Sequence, residues 1–148
     1  MTNNFKALNP DYESKVRQSF VEQGIMKLMG ATIRDVGPGR CIIELPFNEK
    51  LTQQDGFFHA GATSTIADSA GGYAALTLMP ADSQTLTVEF KINLLVPASG
   101  DRLCAEATVI KAGKTLTVSN IEVFSHRGES RKLCAIMQQT TICIPHPD

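Results

Sequence analysis

The stretch from Gly61 to Met79 is dominated by Ala, Gly, Ser and Thr, holds one charged residue, Asp68, and stops at Pro80. Proline lacks an N–H and clashes with the preceding turn, so the stretch reads as one long helix that ends there. At about 100° per residue, the positions nearest Asp68 around the axis are Gly61, Ser64, Thr65, Gly71, Gly72, Ala75 and Met79. All but Met79 are small. The opposite face carries Ala62, Ile66, Ala70, Tyr73 and Thr77, an apolar stripe suited to a core. No Lys or Arg occurs between Lys50 and Lys91, so Asp68 has no ion-pair partner in its own segment. The fold must cover one face of this helix. The other face leaves the acid where a second backbone or a ligand can come close.

The cover comes from strands. Leu86–Leu95 alternates with period two and closes at Pro97-Ala98-Ser99-Gly100. Leu103–Lys111, Leu116–Ser125 and Lys132–Ile144 follow, separated by turns at Gly113-Lys114 and at His126–Ser130. Before the helix, Ala31–Val36 and Arg40–Phe47 flank Gly37-Pro38-Gly39 and read as a hairpin, and residues 48–60 form a loop. Asn9-Pro10-Asp11 opens an N-terminal helix with Val16, Phe20 and Val21 on its apolar face, ending near Gly24. Ile25–Met29 forms a short further turn. Short hairpin-like connections imply an antiparallel sheet. One long helix set into such a sheet is an α+β architecture. With no repeat or linker, residues 1–148 form one domain, with 1–24 as a helical extension.

At 148 residues the chain can bury a single sizeable core. Fourteen basic residues against 15 acidic ones argue against nucleic acid, which selects a basic patch. No apolar run reaches the roughly 18 residues of a membrane span, and the N-terminus has no apolar stretch that could act as a signal peptide. Cys41, Cys104, Cys134 and Cys143 contain no CxxC pair and read as reduced thiols of a cytoplasmic protein. His59, His126 and His146 match no metal-ligand spacing.

His59-Ala60-Gly61, with Asp68 nine positions after the histidine, resembles the HGG(x6)D signature of hotdog-fold thioesterases. Ala67–Ala70, Thr87–Asn93, Pro97-Ala98 and Lys111-Ala-Gly-Lys114-Thr115 extend the likeness to the phenylacetic-acid-degradation branch of acyl-coenzyme A thioesterases, over roughly residues 25–143. The resemblance implies a hotdog fold, a long central helix wrapped by about five to six antiparallel strands. It also implies hydrolysis of acyl- or aryl-coenzyme A to free acid and coenzyme A. Asp68 corresponds to the nucleophile or general base, and the backbone N–H of Ala60 to the oxyanion donor beside Gly61. Gln53 stands where this branch usually has Asn, Thr87 matches a hydroxyl on the facing strand, and Val96 stands where relatives often have Arg. No cofactor or metal is implied, because coenzyme A is part of the substrate. The family shares its site across a homodimer, and dimers commonly pair into tetramers.

The chemistry suits these residues. A thioester carbonyl needs a nucleophile or a base-activated water, and donors for the developing oxyanion. A helix N-terminus offers unpaired N–H groups and a favourable dipole. Eight residues of helix, at about 1.5 Å each, put Ala60 and Asp68 roughly 12 Å apart. One carbonyl carbon cannot contact both, so the donor and acid that act together belong to different subunits. Thr87 shares a strand face with Glu89 and could orient Asp68 or a water. His59 could position its loop through a backbone hydrogen bond or act as a general acid. Ser64, Ser69 and Tyr73 read as packing residues, and Phe57, Phe58 and Met79 as pocket lining. Lys111 and Lys114 could meet coenzyme A phosphates. The alternatives are a non-catalytic acyl-coenzyme A binder and a hotdog dehydratase.

Overall fold

Asn9 starts the helical N-terminus by accepting the Asp11 N–H on its Oδ1 at 3.0 Å. Helix α1 (Tyr12–Glu22) follows, then α2 (Gly24–Met29), which ends on Gly30 at φ 77°. That left-handed conformation favours glycine. The computed structural model describes residues 4–147. Val16 and Phe20 turn into the core as expected, but Val21 is 70% exposed. It lies about 100° round the helix from Phe20, off the buried face.

Strands β1 (Thr32–Gly37) and β2 (Arg40–Pro46) form the expected hairpin. A short 3-10 helix, Glu49–Leu51, and an isolated bridge between Thr52 and Phe58 give the connecting loop more order than the sequence suggested. Helix α3 (Ala60–Leu76) is followed by β3 (Ser83–Leu94), β4 (Arg102–Ala112), β5 (Leu116–Arg127) and β6 (Ser130–Pro145). All six strands join one sheet in the order β1-β2-β4-β5-β6-β3. Every pairing is antiparallel. The long helix lies against this sheet, which is the hotdog arrangement.

Two local expectations change. The helix stops three residues short of Met79, because the Thr77 hydroxyl donates to the Ala74 carbonyl at 2.6 Å and accepts the Gly39 N–H at 2.8 Å. Leu78 and Met79 then bond back in tight turns to Ala75 and Leu76. The connection from β3 to β4 is also not a hairpin. It crosses the end of the sheet, so β2 pairs with β4 while β3 pairs with β6 and becomes an edge. Within that crossing Pro97 has no N–H for a ladder, and Gly100, at φ 132°, would drive a Cβ to 2.1 Å from the His126 carbonyl oxygen.

The face of α3 opposite Asp68 is buried at Ala62, Ile66, Ala70, Tyr73 and Thr77. It packs on an inner sheet face with two characters. Ile43, Leu45, Leu103, Ala105, Ile121 and Val123 form an apolar half, whereas Thr117, Ser119, Gln139 and Thr141 make a buried polar part. Gly71 permits a close approach: a Cβ there would lie 2.1 Å from Gln139 Oε1 and 3.0 Å from Ile121 Cδ1. The N-terminal helices clamp this layer. Lys15 Nζ donates to the carbonyls of Pro80 (3.3 Å), Ala81 (2.8 Å) and Ser83. Gln23 Nε2 donates to the Tyr73 hydroxyl at 2.6 Å. Burial holds the Tyr73 phenol above its ordinary pKa and lowers that of Lys15.

Gly71→Ala is expected to lower stability by about 1–3 kcal/mol through overpacking, although alanine is the better helix former by about 1 kcal/mol. Urea melts of the two proteins would measure it. The four cysteines are free. Burial pushes the Cys41 thiol up to about 12 and the Cys134 thiol up to about 11. Both should resist iodoacetamide at pH 8 in the native protein and react only after unfolding, as read by peptide mass spectrometry.

Candidate active site

Asp68 lies at the middle of α3, facing the edge strand β3. The Thr87 hydroxyl donates to Asp68 Oδ1 at 2.7 Å. A second donor, which the sequence reading missed, is Gln139 on β6. Its Nε2 donates to the same Oδ1 at 2.7 Å and to the Asp68 backbone carbonyl at 2.8 Å. It also lies 3.4 Å from Thr87 Oγ1. Gln139 is fully buried, in the alternating row Ala135, Met137, Gln139, Thr141. That period-two row was a usable signal for an inward amide.

A cleft of about 340 Å³ opens on Asp68, lined also by Gln23, Ser69, Gly72, Tyr73, Thr85, Leu86 and Thr87. Ser69 Oγ donates to Gln23 Oε1 at 3.2 Å, tying α3 to the N-terminal helices. Asp68 forms no ion pair among the described residues. The small residues around it do not all face outward. Gly71 and Ala75 are buried, and Gln139 of the same chain fills the clearing at Gly71. Glu89 does not share the Thr87 face. Thr87 pairs with Thr141 and Glu89 with the adjacent Thr140, so a bulge at Val88 inverts the alternation.

The N-terminus of α3 sits in a different cleft, of about 420 Å³, lined by Gln53, Phe57, Phe58, Ala60, Thr63, Leu94–Ala98 and Cys134. Its backbone is pinned: His59 N–H donates to the Leu51 carbonyl at 2.8 Å and Phe58 N–H to the Ala98 carbonyl at 2.9 Å. His59 is the N-cap, and its Nδ1 accepts the Gly61 N–H at 2.7 Å. The Gly61 amide is therefore engaged within the cap. The first-turn amides of Ala62 and Thr63 bond to the His59 carbonyl, while the Ala60 N–H has no such partner among the described residues. Among the described residues none other than glycine has a positive φ, so alanine fits at position 60 without strain.

Gln53 lines the same cleft but folds onto its own loop, its Oε1 accepting the Asp55 N–H and the Phe57 N–H, the latter at 3.4 Å. Phe57 and Phe58 line the cleft as expected, whereas Met79 is 4% exposed and packs in the core. Ser64 donates back to the Ala60 carbonyl at 2.7 Å, and Tyr73 is core. Lys111 and Lys114 are exposed at the β4–β5 turn, at the far end of the sheet from Ala60, and line neither cleft. No helix among the described residues is long and apolar enough to cross a membrane.

A known chain of the same shape is a thioesterase family protein from Silicibacter pomeroyi, 44% identical, with a TM-score of 0.89 over 90% of this chain and 98% of that one. The PaaI protein of the Escherichia coli phenylacetic acid degradation operon has the same fold, with a TM-score of 0.83 and 20% identity over 95% of this chain and 98% of its own. A 1,4-dihydroxy-2-naphthoyl-CoA hydrolase from Listeria monocytogenes is 26% identical over 79% of this chain and 93% of its length. The family model described as the Thioesterase superfamily matches residues 55–132, from the loop before α3 to the start of β6. The chain belongs to the Thioesterase superfamily, in its hotdog form.

Proposed function

We propose that this chain hydrolyses acyl- or aryl-coenzyme A thioesters to the free acid and coenzyme A, at a site completed by two copies of itself. One observation carries the reading: the acid and the free helix amide stand on the same helix but open into separate clefts. Their separation along α3 is roughly 12 Å at 1.5 Å per residue, too far for one carbonyl group. Each cleft therefore holds half of the machinery.

The edge strand supports the way the halves meet. β3 is 12 residues long and, among the described residues, unpaired on its outer side. Leu86, Val88, Phe90 and Leu94 are 53%, 55%, 44% and 55% exposed. A long apolar edge is a template for strand pairing. Antiparallel pairing of two β3 edges about Phe90–Lys91 would set Thr87 of one copy opposite Leu94 of the other. The Asp68 cleft of each copy would then meet the Ala60 cleft of its mate. Exposed Leu116 and Ile136 elsewhere on the sheet support a further pairing of dimers into a tetramer.

In the joined site the thioester oxygen accepts the Ala60 N–H from one copy. The Asp68 carboxylate of the other either attacks the carbonyl carbon or takes a proton from the attacking water. Collapse of the tetrahedral species breaks the C–S bond, and the leaving thiolate takes the proton held by Asp68 in the general-base route, or one from solvent in the nucleophilic route, and departs as coenzyme A thiol. If Asp68 attacks, water then cleaves the mixed anhydride and restores the carboxylate. Gln53, Phe57 and Phe58 flank the acyl carbonyl, His59 holds the amide in place through its cap, and Gly61 allows the close turn. Lys111 and Lys114 remain available to coenzyme A phosphates from the exposed turn. The relative named for naphthoyl-CoA hydrolysis supports coenzyme A as the thiol, and four free cysteines suit a cytoplasmic protein.

Asp68→Asn is expected to lose at least about 100-fold in kcat, measured by thiol release from a panel of acyl- and aryl-coenzyme A compounds. Ala60→Pro replaces the N–H by a ring carbon, at the first helical position, where proline is tolerated, behind an extended His59 at φ −64°, ψ 141°. It should fold and lose about 100-fold, the size expected for an oxyanion donor. Tight binding of these thioesters by the wild-type protein without turnover would identify a binding protein instead.

A further inference from the structure

We infer that Gln139 is the positioning residue that makes Asp68 a one-ended catalyst, with Oδ1 locked and Oδ2 left to the substrate. The inference rests on the hydrolytic reading of Asp68 given above. Two side-chain donors from different strands, Thr87 Oγ1 and Gln139 Nε2, converge on Oδ1 at 2.7 Å each. No donor among the described residues reaches Oδ2, and Asp68 lines the open cleft. A carboxylate held this way cannot rotate to exchange its oxygens without breaking both bonds. Its second oxygen is thereby aimed where a carbonyl carbon or water must sit.

The amide itself is specified by its surroundings. Gln139 is 0% exposed, and its Nε2 also bonds the Asp68 main-chain carbonyl at 2.8 Å, which fixes the amide relative to the helix and not only to the side chain. The opposite end, Oε1, is buried with no partner among the described residues and lies against Gly71, where a Cβ would be 2.1 Å away. A buried acceptor without a bond lowers stability, and a methionine of similar length would avoid that cost. Packing alone gives no reason to keep glutamine here. A donor directed at Asp68 does.

The role separates from a structural one by experiment. Gln139→Met is expected to melt within about 4 °C of the wild type or above it. Its kcat on a cleaved acyl-coenzyme A should fall about 10- to 100-fold, with KM changed less than about threefold, because an interaction used in the chemical step is lost. Gln139→Glu keeps the shape and replaces the NH2 by oxygen, and it should be impaired at least as much at neutral pH. Wild-type kcat in either folded variant overturns the inference, as does a loss in Gln139→Met that falls mainly on KM. Loss of cooperative melting in both variants also overturns it, by making the residue a folding element. Asp68→Asn is the control on the underlying reading: if that variant keeps wild-type turnover, the hydrolytic role of Asp68 fails first, whatever Gln139 does.

Discussion

The close approach of α3 to β6 at Gly71 is the contact on which the rest depends. It brings the helix near enough for a fully buried Gln139 to reach both the main chain and the side chain of Asp68. A side chain at position 71 would lift the helix or expel the amide. Asp68 would then lose one of its two side-chain donors. The inner face of the sheet is polar at Thr117, Ser119, Gln139 and Thr141, and apolar at Leu103, Ala105, Ile121 and Val123. One half anchors the helix by burial. The other half gives up some of that burial to hold a carboxylate.

The N-terminus and the middle of the helix serve separate needs. Its N-terminus is fixed by loop bonds at His59 and Phe58 and by the His59 cap, which consumes the Gly61 amide and leaves that of Ala60. Its middle is fixed by Gln139 and Thr87. A rigid helix keeps these two features far apart within one copy. Rigidity therefore makes association of copies part of the proposed chemistry, and the exposed apolar edge of β3 is consistent with that need.

The helix and its acid were legible because both follow from local rules: Pro80 as a stop, a 3.6-residue stripe, and an absence of nearby cations. Thr87 was legible as a hydroxyl on a facing strand, since hydrogen bonding to Asp68 needs only that strand to lie beside the helix. Glu89 was misjudged because a bulge at Val88 breaks period two, and a bulge leaves little trace in composition. The place of β3 at the sheet edge was missed because its pairing with β6 spans some fifty residues, and short connections suggest sequential neighbours. Met79 was misassigned because Thr77 ends the helix early through its bonds to Ala74 and Gly39. Gln139 was half legible: alternation points it inward, but only the cross-helix register reveals what it holds.

The central claim is that a working site takes its acid from one copy and its amide donor from another. Mixing tests it directly. Asp68→Asn and Ala60→Pro chains, each inactive alone, would be unfolded together in equal amounts and refolded. Random pairing makes about half the dimers mixed, and each mixed dimer holds one intact site of its two, so about one quarter of wild-type activity should return. Activity that stays at the level of the separate variants, in a sample shown to contain mixed dimers, would contradict the shared site and return both groups to a single chain.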